Sequence, residues 1–448
     1  AMNLGTKVQT INKKSVTLPQ NNYMMRHLLV MLTALTMVLT GCSSDDEDVS
    51  TTIDPVLEQH PARTVMVYIM AENNLSGNAT SDLEEMKRAS ETIPYGSNLV
   101  VFVDRASKTE LPYVGVVSGG EITKDDRFRP EEDFYASDPE RMRETLQWMM
   151  DHYPAEDYGL VIWGHASGWL IEKDSIAAST ASTGKIHRAY GWDTGTNSTS
   201  GRGKWMNIPT MADVLEGLPH KLKFIFSDCC NFQTAETAFE LRHAADYIIA
   251  SPAETPACGA PYDKIVPTLF NSDEDFYKAV ADTYNAMKVN AGDRVPMAVV
   301  RTSEMENLAV ATREVMGLMA ERERIVTDGA IYYRTHSERS MTKILFDIDD
   351  IVRRNIGNDH EEAYLRWKSA LDRAVIHRAV STKWLTAYPI DFSFDAKEED
   401  YGCMSMFVPL DIYDSQGLSY NKDIRQMEWY WAAGVGEFHT PEAGENAE

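Results

Sequence analysis

The stretch KLKFIFSDCCNFQTAETAFEL, residues 221–241, begins with an apolar run that ends at Asp228, Cys229 and Cys230. A short run that is apolar on both faces is typical of a strand inside a mostly parallel sheet, and the residues after it favour a helix. Open α/β sheets place their ligand sites at the carboxyl ends of the strands. The stretch therefore predicts a β-α unit that carries a thiol at the site edge of the sheet.

The same alternation of strand and helix runs through the first two thirds of the chain. Strands are predicted at TVMVYIMA (64–71), NLVVFVDR (98–105) and within YGLVIWGHASGW (158–169), with helices between them. This pattern predicts an α/β fold with a mostly parallel central sheet flanked by helices. We assign residues 61–300 to this domain and residues 301–448 to a smaller, mixed C-terminal subdomain packed on it.

The N-terminus has the features of an export leader. Arg26 precedes LLVMLTALTMVL (28–39), an apolar run too short to span a bilayer but of signal-peptide length. The following LTGC (39–42) resembles a bacterial lipobox, which predicts a signal peptide over residues 1–41 and lipidation of Cys42. Residues 42–60 then form an acidic tether that resembles a signal for the outer face of the outer membrane, although a plain spacer fits as well. We expect an outer membrane lipoprotein exposed on the cell surface.

The charge of the chain limits its partners. The formal net charge is −25, and removal of residues 1–41 leaves 39 basic and 68 acidic residues, a charge of −29. Such a field repels phosphate backbones, so nucleic acid is not an expected partner. We expect a monomer that meets the membrane only through the lipid on Cys42.

The cysteine pattern favours a reactive thiol over a zinc site. The chain has five cysteines, no C-x-x-C motif and no histidines at ligand spacing, so no metal site is predicted.

His165 ends one predicted strand, and Cys230 ends the next strand along the chain. If these strands are neighbours, about 5 Å apart, the two side chains emerge together at one edge of the sheet. An imidazole and a thiol at one edge can act as base and nucleophile, and a helix directly after Cys230 would lower its pKa. Taken singly, a histidine at a strand end is more often a structural residue, and a buried cysteine on a sheet is usually a small hydrophobic residue.

Three motifs carry a resemblance to a known family. WGHASGW (163–169), DCCNFQ (228–233) and TVMVYIMAENNL (64–75) resemble the signatures of the clostripain-like family of caspase-fold cysteine peptidases, clan CD. The resemblance implies a caspase-like fold, a peptide or protein substrate, Cys230 as nucleophile and His165 as general acid or base. It also implies an oxyanion site made by the backbone N–H groups of Ala166 and Cys230. The chemistry requires no cofactor, and calcium is an option that the family resemblance suggests.

The sequence departs from the family where specificity is set. The family's Pro-Gly-Asp-Gly-Trp segment aligns with PACGA (256–260), which puts Cys258 in place of the aspartate that pairs with a P1 Arg or Lys. Glu254 or Asp263 could supply the charge from a neighbouring position, or the pocket could be neutral. Asp228 is a further candidate residue of this pocket. Family members often cut themselves between the histidine and cysteine strands, where the basic candidates are Lys173, Lys185, Arg188, Arg202 and Lys204.

Two functions therefore remain open from the sequence. The first is an exported, lipid-anchored cysteine endopeptidase with a Cys/His dyad. The second is a catalytically inactive surface lipoprotein that uses the same fold to bind protein or glycan, an alternative supported by the altered pocket residues.

Overall fold

A computed structural model describes residues 62–171, 190–195, 197–200, 203–271, 275–290, 293–322, 325–334, 343–381, 383–384 and 401–438. The predicted leader and tether, Cys42, and four of the cleavage candidates (Lys173, Lys185, Arg188 and Arg202) lie outside these residues. Residues Gln59–Glu448 form one compact unit. The boundary placed at residue 300 stays a prediction.

The strands of the described residues build one large sheet and three small ones. They are β1 (Arg63–Ala71), β2 (Asn98–Arg105), β3 (Tyr113–Ser118), β4 (Glu121–Lys124), β5 (Asp157–Trp163), β6 (Tyr190–Asp193), β7 (Lys204–Met206), β8 (Leu222–Asp228), β9 (Ala245–Ala250), β10 (Lys288–Asn290), β11 (Asp293–Arg294), β12 (Met297–Arg301), β13 (Phe346–Asp347), β14 (Val375–Ala379) and β15 (Ser405–Met406). The large sheet has the order β14-β12-β9-β8-β5-β1-β2-β3-β4. Its central strands, β9-β8-β5-β1-β2, are all parallel, and antiparallel strands extend it on both sides.

The α-helices of the described residues are α1 (Ser76–Ala89), α2 (Pro139–His152), α3 (Ile208–Glu216), α4 (Ala235–Glu240), α5 (Tyr262–Leu269), α6 (Phe276–Asn285), α7 (Met305–Ala320), α8 (Ile348–Ile356), α9 (Glu361–Ala374), α10 (Asp411–Ser415), α11 (Tyr420–Asp423) and α12 (Glu428–Ala432). None of the described helices is long and apolar enough to cross a membrane.

Both faces of the sheet are buried, which explains why its strands are apolar throughout. Along β1, Val65 and Val67 join a core that contains α1, α5 and α6, whereas Met66 and Tyr68 join a core that contains α2 and α3. Successive side chains of a strand point to opposite faces, so helices on both sides require apolar residues at every position. The predicted α/β fold, with helices on both faces of a mostly parallel sheet, is confirmed.

The C-terminal region is joined to the sheet rather than standing apart from it. Helices α7, α8 and α9 extend the core that already contains α2 and α3. Residues Val375–Ala379 form β14, the edge strand that pairs with β12. Asn285 fixes this edge through bonds from Nδ2 to the carbonyl oxygens of Val295 and Ala379.

Candidate active site

The register of β5 and β8 brings His165 and Cys230 to one edge of the sheet. These strands are parallel neighbours in which Trp163 pairs with Asp228. His165 and Cys230 each follow the paired residue by two positions, so both leave the sheet at its carboxyl end. They line a single cavity of about 270 Å³, whose other lining residues are Asn74, Leu75, Trp163, Gly164, Asp228, Glu254, Thr255, Pro256, Ala257 and Gly259.

The loops that follow the two strands are packed tightly against each other. Gly168 has a φ of +68°, and a Cβ at this position would lie 2.9 Å from the carbonyl oxygen of Asn231 and 2.7 Å from a methyl carbon of Thr234. Asn231 itself has a φ of 52°, a left-handed conformation that asparagine tolerates better than most residues. The Asn231 amide donates to the carbonyl oxygens of Pro252 and Arg334, which holds the turn after Cys230 in place.

His165 is held by a residue from the first strand-to-helix loop. Its Nε2 lies 2.7 Å from Oδ1 of Asn74. Because the amide oxygen can only accept, Nε2 carries the proton and Nδ1 is the proton acceptor of the neutral ring. The rings of Trp192 and Trp205 flank the imidazole at centroid distances of 5.7 and 6.4 Å. The ring is therefore fixed in direction and in tautomer.

The Cys230 thiol lies in an environment that favours its protonated form. Burial, followed by the negative charge of Glu254, raises the pKa of Cys230 to about 11. The Thr255 N–H donates to Sγ at 3.4 Å, which only partly opposes this rise. The expectation that an adjoining helix lowers this pKa is wrong. Helix α4 starts only at Ala235, and its N-terminus is capped by Thr234, whose side chain accepts from the Thr237 N–H.

Cys229 lies in a different environment from its neighbour. Its side chain is fully buried in the core, with Sγ 3.5 Å from the carbonyl oxygen of Ile162. Burial raises the pKa of the Cys229 thiol well above its usual range. Every cysteine of the described residues is a free thiol: Cys229, Cys230, Cys258 and Cys403. Adjacent positions on a strand end thus put one thiol into the core and the other into the cavity.

The floor of the cavity is acidic. Asp228 accepts hydrogen bonds from the Ala260 N–H at 2.8 Å, the Tyr262 hydroxyl at 3.0 Å and the Tyr284 hydroxyl at 2.6 Å. Its side chain is almost fully buried, and burial raises the pKa of this carboxyl. The three donors hold the Asp228 carboxyl in place, and Asp228 is one of the residues that line the cavity.

A second carboxyl, Asp82 of α1, lies beside Asp228 and was not singled out from the sequence. A Cβ on Gly259 would lie 2.3 Å from Oδ2 of Asp82 and 3.0 Å from Oδ2 of Asp228, so only glycine leaves room for both groups. Asp82 accepts a hydrogen bond of 2.7 Å from the Trp163 indole N–H. Burial, and then the charge of Asp228, raises the pKa of Asp82 to about 8.

The remaining predicted residues fall in different places. Glu254 is buried and lines the cavity, whereas Cys258 and Asp263 are exposed and are not among its lining residues. Ala166 forms an isolated bridge with Tyr190 and does not have a positive φ. Lys204 begins β7, with Nζ 4.4 Å from the centre of the Tyr135 ring.

Asn74 and Asp82 were not predicted from the sequence because they reach the site from the loop before α1 and from α1 itself, 91 and 81 residues from their partners His165 and Trp163.

A caspase-like sheet that carries an imidazole and a free thiol at one edge is typical of cysteine peptidases. Comparison with known proteins identifies the family. Residues 67–370 match the model of Peptidase_C11, the clostripain family. The chain belongs to this family of cysteine peptidases. The catalytically inactive binding protein is not favoured by these matches.

Individual relatives support the same assignment. The chain is 26% identical over 238 residues to clostripain from Hathewaya histolytica, a match that covers 45% of this chain and 41% of that protein. A secreted C11 cysteine protease from Bacteroides thetaiotaomicron, solved with an irreversible peptide inhibitor, is 27% identical with a TM-score of 0.66, covering 83% of this chain and 98% of that one. An inactive zymogen C11 protease from Parabacteroides distasonis, 24% identical with a TM-score of 0.65, covers 84% and 99% and shares the fold.

Proposed function

We propose that this chain is an exported, lipid-anchored cysteine endopeptidase in which Cys230 is the nucleophile and His165 the general acid and base. The observation that carries the proposal is the β5–β8 register, which brings both side chains to one cavity. Cysteine peptidase chemistry needs no cofactor.

The raised pKa of Cys230 suggests when the nucleophile forms. A thiol with a pKa of about 11 is protonated at neutral pH in the free protein. As Sγ attacks the peptide carbonyl, its proton passes to Nδ1 of His165, and the same nitrogen then protonates the leaving amine. The backbone N–H groups of Ala166 and Cys230 hold the developing oxyanion. Asn74 keeps the imidazole oriented through both proton transfers.

For the substrate, we propose a peptide with Arg or Lys at P1. Asp228 and Glu254 both line the cavity, and Asp82 lies beside Asp228 at Gly259, so the pocket has carboxyl groups that can pair with a cation although Cys258 replaces the family aspartate. A buried cationic side chain requires such a charge. Binding of a cation would also favour the ionised forms of Asp82 and Asp228 over the protonated forms that burial favours.

A peptide hydrolysis assay tests both parts of this proposal. Purified protein starting after Cys42 should cleave a fluorogenic peptide with Arg at P1, and Cys230→Ala should lose all activity while Cys229→Ala keeps at least about a third. Substrates with Leu or Ala at P1 should be cut at least about tenfold more slowly than those with Arg. Equal rates for Arg and Leu would contradict the acidic pocket, and an active Cys230→Ala would contradict the dyad.

We further propose that Cys42 carries the lipid and that the protein is anchored in the outer membrane, facing the cell surface. The support is the lipobox-like LTGC segment and the acidic residues after it. Protein with Cys42→Ala should no longer incorporate labelled fatty acid and should leave the membrane fraction. Protease treatment of intact cells should remove the wild-type chain if it faces outward.

Self-cleavage between His165 and Cys230 is proposed at one or more of Lys173, Lys185, Arg188 and Arg202. Lys204 is a poorer site because its backbone is paired within β7, and a peptidase must first open such a strand to bind it in extended form. Mass spectrometry of purified wild-type chain should show a cut in this segment that is missing from Cys230→Ala. A cut of equal extent in both would point to another protease.

A further inference from the structure

An aromatic pair borders the imidazole of His165. Trp192 lies in β6 and Trp205 in β7, two strands that pair antiparallel. The planes of the two indole rings differ by only 7°, and their centroids are 6.3 Å apart. Both rings are tilted to the imidazole, by 48° and 54°. Both tryptophans are partly exposed. The two indoles therefore form one aromatic surface beside the ring.

The aromatic pair belongs to neither core of the sheet. The residues that anchor its two strands, Tyr190 and Met206, pair with each other and are buried in the core that contains α2 and α3. Among the described residues, the members of the two cores do not include Trp192 or Trp205. Large apolar side chains are normally buried, and a group of them left at the surface typically marks a binding site. Packing of the core therefore does not account for these two tryptophans.

The position of Trp192 is fixed by its neighbours. The side-chain amide of Asn73 donates to the Trp192 carbonyl oxygen at 2.6 Å, and the N–H of Gly191 donates to the carbonyl oxygen of His165 at 2.8 Å. A Cβ on Gly203 would clash with the indole nitrogen of Trp192, so only glycine lets the ring lie this close to the chain. A surface held in this way is preformed, and a ligand does not have to order it on binding.

The strand order puts this aromatic surface on the opposite side of the dyad from the acidic pocket. Along the carboxyl edge of the sheet the strands run in the order β9, β8, β5 and β1. Glu254 follows β9 and Cys230 follows β8, whereas His165 follows β5. Asn73, which binds the Trp192 backbone, follows β1. The order of groups along the edge is therefore carboxyl, thiol, imidazole and indole.

This order matches the direction of a bound peptide. In the proposed reaction Sγ of Cys230 attacks the scissile carbonyl carbon, and His165 protonates the leaving amine. The P1 side chain then lies on the thiol side, with the carboxyl groups, and the peptide chain after the scissile bond passes the imidazole. The first side chain that this part of the peptide presents is P1′, and it reaches the aromatic surface.

We propose that Trp192 and Trp205 form the P1′ subsite and that this subsite takes a large apolar side chain, aromatic or aliphatic. The assignment rests on the proposed dyad of Cys230 and His165. Contact with two indoles removes apolar surface of the P1′ side chain from water, a gain that glycine at P1′ does not provide. The preferred cleavage site thus combines a basic residue before the scissile bond with an apolar residue after it.

Internally quenched peptides that share Arg at P1 and differ only at P1′ test this subsite. Wild-type protein should cleave the peptides with Phe or Leu at P1′ with a kcat/KM at least about tenfold higher than the peptide with Gly. In Trp205→Ala this ratio should fall below about threefold, and Trp205→Phe should keep at least about half of it. The control Trp431→Ala, which removes an exposed tryptophan of α12, should keep the full ratio.

The ratio separates a contact with substrate from support of the catalytic ring. If Trp205 only held His165 in place, its loss would lower kcat/KM for all three peptides by the same factor, and that result would overturn the proposal. Equal rates for Phe, Leu and Gly in active wild-type protein would overturn it as well and would leave the dyad unaffected.

Binding to Cys230→Ala protein makes the test independent of activity. With versions of the peptides that carry a single fluorophore, anisotropy should give a Kd for Phe at P1′ at least about fivefold lower than for Gly. Trp205→Ala in the same background should remove this difference. Absence of cleavage by wild-type protein would contradict the peptidase proposal, whereas equal affinity of Cys230→Ala protein for both peptides would contradict the aromatic subsite.

Discussion

The electrostatics around Cys230 give a prediction that can be worked through quantitatively. With a pKa of about 11, about one Cys230 thiol in 10⁴ is ionised at pH 7, against about one in 30 for an ordinary thiol of pKa ~8.5. The higher pKa makes the thiolate more nucleophilic by about tenfold, which offsets part of this difference. Iodoacetamide should therefore alkylate Cys230 about 20–30-fold more slowly than the thiol of a short, unstructured peptide.

Removal of the negative charge that most raises the pKa of Cys230 should partly reverse this effect. Glu254 is the second cause of the raised pKa after burial, so Glu254→Gln should lower the pKa of Cys230. Each pKa unit of such a decrease corresponds to about 1.4 kcal/mol and raises the ionised fraction at pH 7 about tenfold. A thiolate of lower pKa is also a weaker nucleophile, by about threefold per pKa unit, so alkylation at pH 7 should become about threefold faster for each unit of decrease. Peptide mapping by mass spectrometry separates Cys230 from the exposed Cys258, and Asp263→Asn is the matched control that should change nothing. The reasoning fails if wild-type Cys230 reacts as fast as the peptide thiol, or if Glu254→Gln leaves its rate unchanged.

Two further predictions concern other carboxyl groups. Asp228→Asn should lower kcat/KM for a P1-Arg peptide by about 100-fold, whereas kcat/KM for a P1-Leu peptide should change by less than about threefold. The control Asp263→Asn should alter neither value. An equal loss for both peptides would contradict a charge-specific role of Asp228. Burial raises the pKa of Glu236 from 4.5 to about 7. Between these two values the folded state keeps a proton that the unfolded state releases, so the free energy of unfolding should fall by about 3 kcal/mol as pH rises from about 4 to 8. Glu236→Gln should make the decline of Tm over this pH range less steep, and an unchanged slope would refute the assignment.

The sequence predicted the fold well because parallel strands buried on both faces leave a strong local pattern. The runs at β1, β2, β5 and β8 are apolar at almost every position, and each is followed by residues that favour a turn or helix. The shared edge of His165 and Cys230 follows from chain order and strand direction alone. These signals depend on residues that are close together in the sequence. They predict the structure reliably because a strand that is buried on both faces requires apolar residues at nearly every position.

The predictions that failed depend on packing. The pKa of Cys230 was expected to be low because a helix follows it, but the helix starts four residues too late and Glu254 arrives from a loop after β9. The pairing of Asp82 with Asp228 depends on the contact between α1 and the loop at Gly259, which no local pattern encodes.

The role of Cys230 as nucleophile is tested most directly by labelling the protein with an electrophilic peptide probe that carries Arg at P1. Mass spectrometry then identifies the modified residue. Wild-type protein and Cys229→Ala should be labelled at residue 230, whereas Cys230→Ala should not be labelled. Thermal melting should show that all three proteins are folded. Labelling of Cys229 or Cys258 in place of Cys230, or equal labelling of Cys230→Ala, would contradict the claim that the thiol at the end of β8 is the nucleophile.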